Sequence, residues 1–300
     1  MKELIKFKDF KKLVVEDIRE HYEEDCDIKE QEVLKNNSKV LFGISICRKD
    51  RKLGPTVYLD NYYEIYRMGK PFQSVLQQLH TVIDRELEAA VGFDFDIENF
   101  QNYEKIKEKI VFRRVNAGKN KKLLQRIPHI MFCDLAICFA VYLQDKRIGS
   151  GSILIHNKHA ETWNVTAEEL YARALENTPK LLPPDMRNIG ELLEEFDGYR
   201  GGIDELPMYV LTNKIRCMGA SAILYPDILK EVAAEWKTDI VLFPSSVHEW
   251  IAVPGREVDS TDRAREIVHE VNRVCVNPEE VLSENVYLYS ADTGEVRIAA

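Results

Sequence analysis

Apolar positions along this chain come in short runs whose period switches repeatedly between helical and extended spacing. Phe7, Phe10, Val14, Ile18 and Tyr22 recur every three or four residues, so they share one helical face that must be buried. Apolar runs at 39–47 and 55–59 predict two strands joined by the polar turn RKDRKLG. A short aromatic helix over 61–66 and a turn at Gly69 come next. A longer helix then carries Phe72, Val75, Leu76, Leu79, Ile83 and Leu87 on one stripe. Beyond the acidic connector FDFDIENF the pattern predicts a strand over 110–115 and a polar helix near 120–126, stopped by Pro128. A hairpin of strands over 133–143 and 151–155 follows.

The next helix has a complete start signal. Thr166 and Glu169 make a T-x-x-E capping box, with Val165 and Leu170 placed as a hydrophobic staple. After the proline-rich KLLPPD, a helix is predicted from the stripe Met186, Ile189, Leu192 and Phe196, then a loop with Gly198, Gly201 and Gly202. Strand-like 208–211 leads through Asn213 and Gly219 to an extended 222–225. Another helix carries Ile228, Leu229, Val232 and Trp236. Strands over 240–243 and 250–253 flank the loop PSSVHE, and a last helix aligns Ala264, Ile267, Val268 and Val271 before an edge strand at 286–289.

Strands fall in adjacent pairs separated by turns, which predicts an α+β fold of mostly antiparallel strand pairs flanked by amphipathic helices. The expected organisation is an N-terminal α+β unit over 1–100, a second unit over 101–182 and a C-terminal α+β domain over 185–300, with the break at Pro183–Pro184. The second unit reads as a duplicate of part of the first. TVYLDNYYEIYRMGKPFQSVLQQL and SILIHNKHAETWNVTAEELYARAL each read as strand, short aromatic-bearing helix, tight turn and amphipathic helix. Glu64 and Tyr66 fall opposite Glu161 and Trp163; after a two-residue contraction, Val75 and Leu79 fall opposite Leu170 and Ala174.

A net charge of −9 over 300 residues repels phosphate on average, which disfavours non-specific binding to nucleic acid or anionic lipid. No run approaches the roughly 20 apolar residues of a spanning helix. The first residues lack the apolar core and cleavage site of a signal peptide. The six cysteines form no C-x-x-C pair, so reduced thiols in apolar surroundings and a cytoplasmic location are expected.

PSSVHE gathers Ser245, Ser246, His248 and Glu249 between two apolar strands, where a hydroxyl, an imidazole and a carboxylate could meet a ligand; Asn213 is placed to join them. Nucleophilic catalysis would need the base within hydrogen-bond reach of the hydroxyl, and sequence neighbours rarely reach that geometry. No G-x-S-x-G elbow, H-E-x-x-H pair, G-x-G-x-x-G turn or G-x-x-x-x-G-K-[ST] loop occurs. His129 and Asp134, in PHIMFCD, could pair as an oriented imidazole. His156 and His159 lack an evident third metal ligand. Residues 105–126 hold nine basic residues, among them Lys119, Lys121 and Lys122, as a candidate polyanion patch, with only Phe112 as a stacking partner.

Several stretches resemble domain of unknown function family 5688, whose members abound in gut-dwelling clostridia. They include PTVYLDNYYEIYRMGK, NKKLLQRIPHIMFCDLAICF, HNKHAETWNVTAEELYARALENTPKLLPP, FPSSVHEWIAVP and VNPEEVLSENVYLYSADTGEV, and the likeness runs from about Val40 onward. The resemblance implies no established cofactor, substrate or catalytic residue. The expectation from the residues is therefore a non-enzymatic binding or interaction module for a protein partner or small ligand, without cofactor or metal. The rivals are a hydrolase-like enzyme using His248 and Glu249 with Ser245 or Ser246, and a nucleic-acid or nucleotide-ligand binder through Lys105–Arg126.

Overall fold

The computed structural model describes residues 4–51, 54–90, 97–145, 149–197 and 207–299. They form an α+β protein with three mostly antiparallel sheets. The chain divides into two compact units: Met1–Lys35, Lys39–Ile97 and Gln144–Ser150 in the first, and Asn36–Ser38, Glu98–Leu143 and Gly151–Ala300 in the second. The connector aspartates Asp94 and Asp96 and the glycines Gly198, Gly201 and Gly202 lie outside the described residues, as does the side chain of Glu98.

The first unit runs α1 (Phe7–Tyr22), β1 (Cys26–Leu34), β2 (Val40–Arg48), β3 (Thr56–Tyr58), α2 (Leu59–Arg67) and α3 (Phe72–Ala90), with sheet order β1-β2-β3. Phe10, Val14 and Ile18 from α1, Ile44 and Ile46 from β2, and Val75, Leu79 and Ile83 from α3 make its core, all fully buried. Phe10 packs against the rings of Tyr63, Tyr66 and Phe72, so the aromatic run of α2 supplies the joint between α1 and α3. Gly69 makes the α2–α3 turn possible because its φ of +98° would strain any side chain. The sequence pattern gave no sign of β1. Its central residues, Lys29 to Glu32, are polar and mostly exposed, so pairing with β2 rather than burial defines it.

The second unit starts with two short helices, α4 (Ile97–Gln101) and α5 (Tyr103–Ile106), and continues with β4 (Ile110–Asn116), the single turn α6 (Lys121–Leu124), β5 (His129–Phe132), β6 (Leu135–Asp145) and β7 (Gly149–Leu154). In this sheet β6 pairs with β4, β5 and β7. Then come α7 (Asn157–Trp163) and α8 (Ala167–Leu181). The Thr166–Glu169 capping box forms as predicted: the Glu169 amide donates to Thr166 Oγ1 at 3.2 Å, and the Thr166 amide to Glu169 Oε2 at 2.8 Å. The two look-alike segments share their order of elements. Each is a strand, a short helix, a left-handed turn (Gly69, φ +98°; Asn164, φ 53°) and a long helix that buries Val75 and Leu79 or Leu170 and Ala174.

The remaining elements are β8 (Pro184–Asn188), α9 (Ile189–Asp197), β9 (Tyr209–Asn213), a 3-10 segment Gly219–Leu224, α10 (Ile228–Trp236), β10 (Ile240–Ser246), β11 (Glu249–Pro254), α11 (Thr261–Val274), β12 (Tyr287–Tyr289) and β13 (Val296–Ile298). Their sheet has the order β13-β12-β10-β11-β9-β8.

Three local expectations change. The strand expected from Cys133 is cut by a turn, with Cys133 at φ 54°, so residues 129–132 form a separate strand that folds back on 135–138. Met186 sits in β8 and not on a helix. Pro183 and Pro184 favour extended backbone, Pro184 has no amide to donate, and β8 accordingly lies at a sheet edge. Asn188 Oδ1 accepts the Gly190 amide at 2.7 Å, so α9 begins only after it. Residues 219–224 coil as a 3-10 segment instead of extending, because Gly219 is wedged against Thr212 and the His248 carbonyl, where a Cβ would collide with both. All six cysteines are free, yet only Cys26 and Cys138 are buried; Cys133, Cys217 and Cys275 are exposed. No helix among the described residues is long and apolar enough to cross a membrane.

Candidate functional site

The β10–β11 connection carries PSSVHE. A bulge between Phe243 and Ser246 bends β10, and Val247 and His248 turn the chain. Every polar group here meets a near neighbour. Ser245 Oγ donates to Glu249 Oε1 at 3.2 Å, and Ser246 Oγ accepts the His248 amide at 3.0 Å. His248 Nδ1 accepts the Met218 amide at 3.1 Å, so its hydrogen sits on Nε2, which faces Glu280 Oε1 at 3.7 Å. The His248 carbonyl accepts Thr212 Oγ1 at 2.7 Å. Asn213 is fully buried and ties off its own loop: Nδ2 donates to the Cys217 carbonyl at 2.9 Å and Oδ1 accepts the Cys217 amide at 3.3 Å. Asn213 and His248 thus grip the same 213–218 loop, but through its backbone. Neither serine hydroxyl is bonded to the imidazole.

His129 and Asp134 do not pair. His129 Nδ1 donates to the Ile127 carbonyl at 3.0 Å. Asp134, in the β5–β6 turn, is a hub: it accepts Ser283 Oγ at 2.7 Å, Asn285 Nδ2 at 3.1 Å and the Tyr287 hydroxyl. Burial, and then the hydrogen bond to Asp134, push the Tyr287 phenol well above its ordinary range.

Beside the hub lies a residue that sequence reading placed on a basic surface. Arg114 is 2% exposed, its guanidinium 4.4 Å from the ring centroid of Phe132 and 5.3 Å from that of Trp250. None of its three guanidinium nitrogens has a hydrogen-bond partner among the described residues. Burial lowers its pKa to about 10, with Tyr287, Cys133 and Asp134 pulling the other way. Ring faces hold this cation in the core. Arg113 is also drawn inward, with Nη2 3.6 Å from Met218 Sδ. Lys119 bonds Glu284 at 2.9 Å and holds that carboxyl below its usual range; Lys107 bonds Glu104 at 2.6 Å. Lys121 and Lys122 are exposed on α6. His156 and His159 cap α7: the His156 amide donates to His159 Nδ1 at 3.1 Å, and burial, then His156, lower the His159 pKa.

The feature with spare surface is apolar. In β10 and β11 the direct pairs Phe243–Ile251 and Val241–Val253 share one sheet face, while Leu242, Trp250 and Ala252 point into the core on the other. Helix α11 covers the Val241 end of that face through Ala264 and Val268. Over Ile251 and Val253 the helix and sheet leave a cleft of about 550 Å³, which Ile267 and Val271 also line, with Ser245, Arg263 and Asn272 among its polar groups. Ile267 is 53% exposed. Sequence reading missed the cleft, because it forms from side chains that read as ordinary core stripes. One signal was present: the α11 stripe holds four apolar residues, more than one partly covered sheet face uses. A second feature escaped as well: Asp17, His21 and His80, from two helices of the first unit, form a group able to ligate a metal ion.

No curated protein and no solved structure matches the chain. The model of the Family of unknown function (DUF5688) matches residues 7–291, and the chain belongs to that family.

Proposed function

We propose that this protein is a non-enzymatic binding module whose C-terminal sheet and α11 take up a small, predominantly apolar molecule. The observation that carries this reading is the cleft over Ile251 and Val253. Its volume of about 550 Å³ falls in the range of roughly 300–1,000 Å³ typical of small-molecule sites, and its lining is mainly apolar, with Glu257, Asp259 and Arg263 as charged groups that could orient a polar end of the ligand. The polar turn beside it supports the non-enzymatic side of the reading. Ser245 is committed to Glu249, Ser246 to a backbone amide and His248 Nδ1 to the Met218 amide. Neither serine hydroxyl gives its proton to the imidazole, the base that usually activates a serine nucleophile.

The test is titration with the uncharged fluorescent hydrophobe N-phenylnaphthylamine. Saturable uptake at one site per chain is expected, and Ile267→Asp should weaken it at least ~10-fold, because a carboxylate in the cleft must be desolvated when the probe binds. Ile267 is half-exposed, so this variant keeps its fold. Equal binding by the wild type and Ile267→Asp would refute the assignment.

A further inference from the structure

We infer that the first unit holds a divalent metal site of the zinc class, built by Asp17 and His21 of α1 and His80 of α3. Asp17 and His21 are four residues apart on one helix, and so lie one above the other on the same face. His80 approaches from α3, its ring centroid 4.4 Å from that of His21. One ligand atom from each of the three lies within 4.8 Å of the others. Metal bonds of about 2 Å in tetrahedral arrangement place ligand atoms roughly 3.3 Å apart, so side-chain rotation alone would close the set.

The hydrogen bonds around His80 supply an independent reason to place a cation here. His80 Nδ1 is 3.0 Å from the Tyr22 hydroxyl, the Tyr22 hydroxyl is 2.9 Å from Asp84 Oδ1, and His80 Nε2 is 2.6 Å from Asp17 Oδ1. Neutral His80 and Tyr22 bring two protons to these three contacts, and ionised carboxylates bring none. If Tyr22 donates to Asp84 and His80 Nδ1–H donates to Tyr22, then Nε2 presents a lone pair to a carboxylate oxygen. A cation, either a proton or a metal ion, completes that end of the network. A proton on Nε2 satisfies the His80–Asp17 pair alone and leaves His21 outside it, with His21 Nδ1 donating to the Asp17 carbonyl at 2.8 Å and its Nε2 lone pair unused by that pair. A divalent metal ion uses both imidazoles and the carboxylate together.

The outer contacts fit this use. In metal sites a ligating histidine normally donates its other ring N–H to a fixed acceptor, which sets the tautomer and aims the lone pair at the metal. The Tyr22–Asp84 pair does this for His80; burial, and then the hydrogen bond to Asp84, raise the Tyr22 phenol's pKa. Two imidazoles and one carboxylate suit first-row divalent ions and leave coordination positions open to water. Side-chain exposures of 20% for His80, 26% for Asp17 and 54% for His21 leave an entry path.

Calorimetric titration of the metal-free full chain with Zn²⁺ should show one site. With Co²⁺ the absorption spectrum should lack a thiolate charge-transfer band, which separates this site from the exposed cysteines. His80→Gln should weaken uptake at least ~100-fold, and Tyr22→Phe, which removes only the outer contact, about 10- to 100-fold. His21→Gln, at an exposed position, should also weaken uptake and keeps the test decisive if His80→Gln folds poorly. A thiolate band, uptake unchanged in His21→Gln and Tyr22→Phe, or no uptake at all (a proton alone filling the gap) would each overturn the inference.

Discussion

The PSSVHE turn and the α11 cleft share Ser245 but treat their side chains in opposite ways. In the turn, polar residues that look reactive in sequence are consumed by neighbours: two serines, a histidine and a glutamate all bond within the protein. In the cleft, residues that look like plain core keep part of their surface uncovered, with Ile267 and Val271 exposed above Ile251 and Val253. The lesson is about satisfaction. A polar group with its partners in place stabilises the fold, whereas apolar surface left unfilled beside a sheet is free energy available to a ligand.

The largest effect should come from removing the best-satisfied polar group. Asp134→Ala strips the acceptor from the Tyr287 hydroxyl, Ser283 and Asn285, and should cost about 3 kcal/mol in urea unfolding because a buried phenol loses its partner. A loss under ~1 kcal/mol would mean that the hub is ornamental and that satisfied polar groups are a poor guide here. Gly219→Ala should cost about 2 kcal/mol, since the new methyl collides with Thr212 and the His248 carbonyl and must push the turn away. The same variant should leave uptake of the hydrophobe within about twofold, because Gly219 packs against Thr212 and His248, which do not line the cleft. Coupled loss of both would merge them into one site.

Much of this architecture was legible in the chain. Helical stripes such as Phe10–Val14–Ile18 and the Thr166–Glu169 capping box specify their elements locally, and both form as read. What escaped depends on tertiary context. β1 is mostly polar and exists through pairing with β2. Arg114 reads as one more cation in a basic run, yet β4 turns it between the rings of Phe132 and Trp250, and the Trp250 ring comes from 136 positions further along the chain. The Asp17–His21–His80 group joins helices separated by a whole sheet in sequence, so no spacing rule detects it. The apolar cleft is hidden for the opposite reason: Ile251, Val253 and Ile267 match their strand and helix periods so well that nothing marks them as anything but core.

The most direct test is methyl NMR of the valine- and isoleucine-labelled protein during titration with N-phenylnaphthylamine. Shift changes should concentrate on Ile251, Val253, Ile267 and Val271, with Val247 in the turn unmoved. Perturbation centred on Val247, or no saturable perturbation of the cleft methyls, would contradict the assignment of the α11 cleft as the binding site.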